Sequence, residues 1–256
     1  MIPKIIHYCW FSGDKKPALI RKCLRSWKKH LPDYEIRCWD GNSFDFGSLD
    51  FTREAMSVKQ YAAASDYVRL YALYNYGGVY LDSDVEVFKS LNPFLDNVFF
   101  SGIDINRCGD IRKKNIEAGI MGSEKGFGFL QECMKYYETT HFIKLDGTFD
   151  NDKVLAPEVY SAQAYKYGFV NEDKEQLLSN GIHIYPRSIF ANGNYIYDHE
   201  DVDYAPLTAH HHNMSPWEID KIQRGRLWKF CWEHDMLDTY KRIENIRVKL
   251  FQPRKS

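Results

Sequence analysis

The segment from Lys4 to Phe11 (KIIHYCWF) is almost uninterruptedly apolar and follows directly on Pro3. A strand covered on both faces reads this way, and parallel sheets are where such strands occur. Ser12-Gly13-Asp14 ends the run. Pro17 then opens a helix whose apolar positions Ile20, Cys23, Leu24, Trp27 and Leu31 recur at helical spacing and stop before Pro32. Tyr34 to Trp39 (YEIRCW) alternates like a strand and ends at Asp40-Gly41-Asn42. This is one βαβ unit, and it commits the chain to a layered α/β fold. A ligand then belongs outside the carboxyl ends of the strands, near Trp10–Gly13 and Trp39–Asn42.

The spacing predicts a long helix from about Ser57 to Tyr76, closed by Gly77-Gly78. Val79-Tyr80-Leu81 is a short strand delivering Asp82-Ser83-Asp84 to its end. Further strands are expected near Phe99–Ile103, Ala118–Met121 and Ile182–Tyr185, and helices over Phe127–Tyr137 and Pro157–Tyr167. From Trp217 onward the pattern is mostly helical. The division expected is a catalytic domain over 1–220 and a basic helical extension over 221–256.

At 256 residues the chain buries roughly 70–75% of its unfolded surface, so it needs no disulfide or metal to fold. A net charge of −1 argues against a nucleic-acid partner. No stretch reaches the roughly 18–20 apolar residues of a membrane span, and Met1-Ile2-Pro3-Lys4 does not begin a signal peptide. The six cysteines contain no CxxC and mostly sit among apolar residues, as in a reduced, cytoplasmic protein.

Asp82-Ser83-Asp84 carries the strongest chemistry. In an extended segment Asp82 and Asp84 share a side, and two carboxylates there make a hard-oxygen site for Mn²⁺ or Mg²⁺. A bare Asp-x-Asp also fits a solvated acidic turn. An EF-hand is excluded, since its sixth position requires Gly and holds Val87. On the preceding helix Asp66 and Arg69 lie three residues apart on one face. That helix is apolar nearly all round, so it is buried, and the pair is expected to line a pocket. Thr208 to Trp217 contains His210-His211-His212, which fits either a site element or a neutral surface tract.

The four segments Ile2–Phe11, Ser26–Lys29, Ala64–Arg69 and Gly77–Asp84, in this order, resemble the DXD-containing family 32 glycosyltransferases. These include enzymes of bacterial capsule and lipopolysaccharide synthesis and are distantly similar to glucosylating bacterial toxins. The resemblance is dense over residues 2–90 and returns at His210–Trp217. It implies a GT-A fold, a nucleotide-sugar donor, a divalent metal and retention of anomeric configuration. It further implies that Trp10 stacks on the base, that Asp66 and Arg69 hold the donor sugar, and that Asp82 contacts ribose and sugar hydroxyls. Asp84 would bind the metal directly, His212 and Ser215 would complete its coordination, and Trp217 would donate its indole N–H to the β-phosphate. Pro216, between Ser215 and Trp217, departs from the related pattern and leaves open which of His210, His211 and His212 is the ligand. Asp104, Asn106 and Glu117 lie where similar enzymes place donor-sugar and acceptor contacts, and each also fits a solvated loop.

The expected activity is transfer of galactose or glucose from a UDP-sugar to a bacterial surface glycan on a lipid-linked saccharide acceptor. The contrasting expectation is a non-catalytic nucleotide- or carbohydrate-binding protein with a decayed site. Residues 221–256 hold ten Lys/Arg against four acids on a body that is net negative. Apolar residues at helical spacing among those cations describe an amphipathic helix that either lies on an anionic membrane at its cytoplasmic face or docks on the domain.

Overall fold

A computed structural model describes residues 1–108, 111–144, 147–148, 155–192 and 208–210. The order of elements is β1 (Ile5–Cys9), α1 (Ala18–His30), β2 (Glu35–Trp39), α2 (Asp50–Ser57), α3 (Tyr61–Tyr76), β3 (Gly78–Leu81) and β4 (Val85–Val87). These are followed by β5 (Phe99–Cys108), β6 (Ile111–Ser123), α4 (Gly128–Glu138), α5 (Ala156–Ala164), β7 (Gln176–Leu177), β8 (Ile182–Tyr185), β9 (Phe190–Asn192) and β10 (Thr208–His210).

Seven strands form one mixed sheet in the order β2-β1-β3-β6-β5-β8-β7, and β4, β10 and β9 form a second, three-stranded sheet. The expected βαβ unit is present: β1 runs parallel to both β2 and β3, with His7 opposite Arg37 and Tyr80. The chain has an α/β fold, as its first forty residues require. Both faces of the large sheet are covered, which explains the continuous apolar run of β1. On one face Phe11, Trp39, Val68, Leu70, Tyr80 and Phe99 pack with residues of α2 to α5. On the other, Ile6, Tyr8, Trp27, Val79, Leu81 and Phe190 pack together with β4.

Two polar contacts fix this frame near the later site. Trp27 of α1 is fully buried and donates its indole N–H to the Val85 carbonyl at 2.7 Å, while Ser26 Oγ accepts from Val87 N at 2.9 Å. Helix α1 thus grips β4 by its backbone. His7, also fully buried, donates from Nε2 to the Gly77 carbonyl at 2.9 Å and accepts from Trp39 Nε1 at 3.1 Å on Nδ1. Burial lowers its pKa from 6.5 to about 4, so it stays neutral.

The helix expected over Ser57–Tyr76 is α3, which begins at Tyr61 because Ser57 ends a separate preceding helix, α2. Lys59 adopts φ 59°, and Gln60 N bonds back to the Ala55 carbonyl, a bond that closes the end of α2. Lysine at a left-handed cap leaves no sequence signal, because glycine normally occupies it. The strands expected near Phe99–Ile103 and Ala118–Met121 are the two arms of a longer hairpin, β5 and β6. Their outer ends are polar and so lack an apolar alternation. The helical tail from Trp217 lies outside the described residues.

Candidate functional site

Strand β3 ends at Leu81, and Asp82-Ser83-Asp84 form a turn closed by Val85 N donating to the Asp82 carbonyl at 2.9 Å. This corrects the extended geometry expected for the motif: the chain reverses into β4, whose backbone is held by α1. The turn is also not the solvated kind. Asp84 is buried at 7% exposure, and Asp82 is half-buried. A buried carboxylate is stable only with strong partners, whether protein groups or a cation.

Arg69 is the hub beside this turn. It is 5% exposed, with its guanidinium 2.9 Å from Asp66 Oδ1 and 3.5 Å from Asp82 Oδ1. Three further bonds run to the Ser65 carbonyl (3.2 Å), Ser65 Oγ (2.9 Å) and the Ala118 carbonyl (2.8 Å). Its guanidinium also lies 4.8 Å over the Tyr80 ring. Burial works against the charge, but Asp82, then Tyr80 and Asp66, outweigh it and hold the Arg69 pKa well above its ordinary value. Asp82 Oδ1 further accepts from Tyr80 Oη at 2.9 Å. Asp66, Arg69 and Asp82 are therefore one charged network; the helical spacing paired Asp66 with Arg69, and the fold adds Asp82.

A bulge in β6 completes it. Pairing with β5 slips between Ser101 and Ile103, whose partners are Met121 and Ile116, so β6 holds extra residues over 117–120. The freed carbonyls are spent on the site: Gly119 O accepts from Asp82 N at 2.8 Å, and Ala118 O takes Arg69. Ser101 Oγ donates to Glu117 O at 2.7 Å, and Glu117 Oε1 accepts from Gly119 N at 2.6 Å. Bulges of this kind re-aim side chains beside active sites.

Residues 17–100 match the model of a glycosyltransferase sugar-binding region containing a DXD motif. Inositol phosphoceramide mannosyltransferase 3 of Schizosaccharomyces pombe is 31% identical over 141 residues, covering 52% of this chain and 36% of that protein. An uncharacterized glycosyltransferase, L373, of Acanthamoeba polyphaga mimivirus is 33% identical over 106 residues, covering 39% of this chain and 42% of its own. The chain thus spans less than half the length of either relative. The solved glycosyltransferase GlyE of Streptococcus pneumoniae TIGR4 is similar at a TM-score of 0.48 and 15% identity, covering 100% of this chain and 66% of that one. What the sequence similarities share is a sugar-binding region with a DXD motif over residues 17–100.

The sugar-binding region takes in Asp66, Arg69, Asp82 and Asp84 but begins after Trp10. Trp10 directly follows β1, half-buried against the second core, with its indole N–H on the Asp14 carbonyl at 2.8 Å. Asp104 and Glu117 are buried, at 8% and 3% exposure, so neither is the solvated loop residue that the sequence left open. Asn106 is on β5, opposite Lys113. His212, Ser215 and Trp217 lie outside the described residues. Strand β10 pairs with β4 so that His210 faces Val85, the residue after Asp84. The His segment accordingly leaves a strand seated beside the Asp82–Asp84 turn. Among the described residues no group of three His, Cys, Asp or Glu could by itself hold a metal ion.

Sequence reasoning missed Asn115, whose side chain is buried and whose Nδ2 has no hydrogen-bond partner among the described residues. It stands across the ladder from Asp104. Lone polar residues in a strand of mixed character carry no signal until the register is known.

Proposed function

We propose that the protein is a metal-dependent, retaining glycosyltransferase that moves galactose or glucose from a UDP-sugar to a saccharide acceptor. The observation that carries this reading is the buried Asp84 on a backbone-clamped turn beside the Arg69–Asp66–Asp82 network. Aspartate oxygens are the donor type that Mn²⁺ and Mg²⁺ prefer, so the turn fits such an ion. Asp84 would hold the metal with Asp82 beside it, and His212 and Ser215 would add the remaining protein ligands. Bound there, the cation would neutralise charge on the diphosphate. Arg69 and Asp66 would orient the sugar hydroxyls, Arg69 as a fixed donor and Asp66 as an acceptor. Trp10 would stack on the uracil, and Trp217 would donate to the β-phosphate. Asp104, Asn106 and Glu117 supply candidate contacts to sugar hydroxyls.

We further propose that the acceptor is a lipid-linked surface glycan in a bacterial cell, met at the inner face of the membrane. The charge segregation of residues 221–256 supports it. Sedimentation with anionic and neutral liposomes tests that part: equal, salt-insensitive recovery in both would sink it. The central test is UDP release from a panel of UDP- and GDP-sugars, with Mn²⁺ and with a chelator. GDP-mannose belongs in the panel because one relative is named a mannosyltransferase. Metal-dependent release from one UDP-hexose is expected. Binding without turnover of any donor would indicate a decayed site instead.

A further inference from the structure

Lys16 sits where the proposed nucleotide site begins, and no motif included it. Its ammonium lies 5.2 Å over the Trp10 ring and 5.7 Å over the Tyr8 ring. Among the described residues it forms no ion pair with a carboxylate, although it is only partly exposed. Nearby chain geometry holds it there. Gly13 takes φ +71°, Asp14 N bonds to Ser12 Oγ at 3.2 Å, and the Trp10 indole N–H bonds to the Asp14 carbonyl. Arg21 donates to the Lys16 carbonyl and so ties the start of α1 to this loop. The loop after β1 is thus folded back over its own tryptophan.

Aromatic rings hold an ammonium by electrostatic attraction, modestly at accessible sites and without neutralising its charge. Lys16 is therefore a cation kept at the carboxyl edge of β1, the same edge from which Asp82 leaves the parallel strand β3. An anionic ligand supplies what two rings cannot. A base stacking on Trp10 must share or take the ring that Lys16 covers, and the displaced ammonium remains on a short tether beside it.

We propose that Lys16 is a nucleotide-binding residue: its ammonium leaves the Trp10 ring for a phosphate oxygen of the donor nucleotide as the base takes its place. This rests on the proposed nucleotide-sugar site and adds to it a protein cation that works alongside the metal. A charge-assisted contact of this kind is worth about tenfold in affinity.

The experiment is calorimetric titration of the full chain with UDP and with uridine, at low and high salt, for the native protein, Lys16→Met and Lys16→Arg. Methionine keeps the apolar stem over the rings and removes the charge. The expected result is that Lys16→Met weakens UDP binding about tenfold and lowers its salt dependence, while uridine binds no worse. Lys16→Arg should retain most of the UDP affinity. If Lys16→Met binds UDP as tightly as the native protein, or tighter, Lys16 only covers the ring and the proposal fails. If it weakens UDP and uridine equally, the effect is loss of packing, and the proposal fails as well. Should the native protein bind neither UDP nor uridine, it is the nucleotide-site reading itself that falls.

Discussion

His7 makes a quantitative prediction about acid stability. Both ring nitrogens are committed in the neutral form, Nε2–H to the Gly77 carbonyl and Nδ1 to the Trp39 indole N–H. Adding a proton at Nδ1 would set donor against donor in a fully buried place. Burial is the main reason the pKa falls to about 4, with Arg37 adding to it and the Gly77 bond and Glu35 opposing it. In the unfolded chain the ring titrates near 6.5, so below that pH the unfolded state binds the extra proton and stability is lost as pH falls. The loss begins near 6.5 and levels off below about 4. The shift of about 2.5 units corresponds to ~3 kcal/mol in full, and about 2 kcal/mol of it is gone by pH 5. The assay is urea unfolding at a series of pH values for the native protein and for His7→Gln, which cannot titrate there. His141, whose pKa is raised by its bond to Glu54, gains stability on acidification, but it is common to both proteins and cancels in the difference. The native protein should lose about 2 kcal/mol more than the variant between neutrality and about pH 5. Parallel pH profiles would refute the reasoning.

Asp84→Asn should fold normally yet lose a factor of ~10²–10³ or more in metal-dependent turnover, and more than about a tenth of native activity in a folded variant would remove Asp84 from the metal. Arg69→Met leaves Asp66 and Asp82 facing each other without their cation and should cost about 3–5 kcal/mol in urea unfolding; an unchanged midpoint would mean that the network contributes nothing to the fold. Trp10→Ala should weaken UDP binding by ~1–3 kcal/mol. A lowered melting point with unchanged UDP affinity would instead make Trp10 a packing residue.

The stretch from β1 to β2 and helix α3 could be read because period and chemistry agree there. The apolar run of β1, the helical stripe of α1 and the alternation of β2 each have one structural solution. Asp66 and Arg69 were legible as a pair from spacing on a helix too apolar to be exposed. What escaped depends on contacts distant in sequence. The end of α2 rests on one left-handed lysine, and the short strands β4, β9 and β10 exist only as partners of one another. The bulge that spends Ala118 and Gly119 on Arg69 and Asp82 follows from register, which no local pattern encodes. The same holds for Asn115, whose importance comes from standing opposite Asp104.

The pairing of β4 with β10 also sets an order of events during synthesis. The strand that carries the chain out of the Asp82–Asp84 turn has Thr208–His210 as its neighbour in the small sheet, some 120 residues downstream. As the chain leaves the ribosome, β1, α1, β2, α3 and β3 can meet early, since their contacts are close in sequence. The acidic turn is then made but not closed, and β4 presents an open edge. Contacts this far apart form slowly and late. A chain that has not yet reached Thr208–His210 would therefore hold Arg69 with its two aspartates well before the strand leaving the turn has its neighbour.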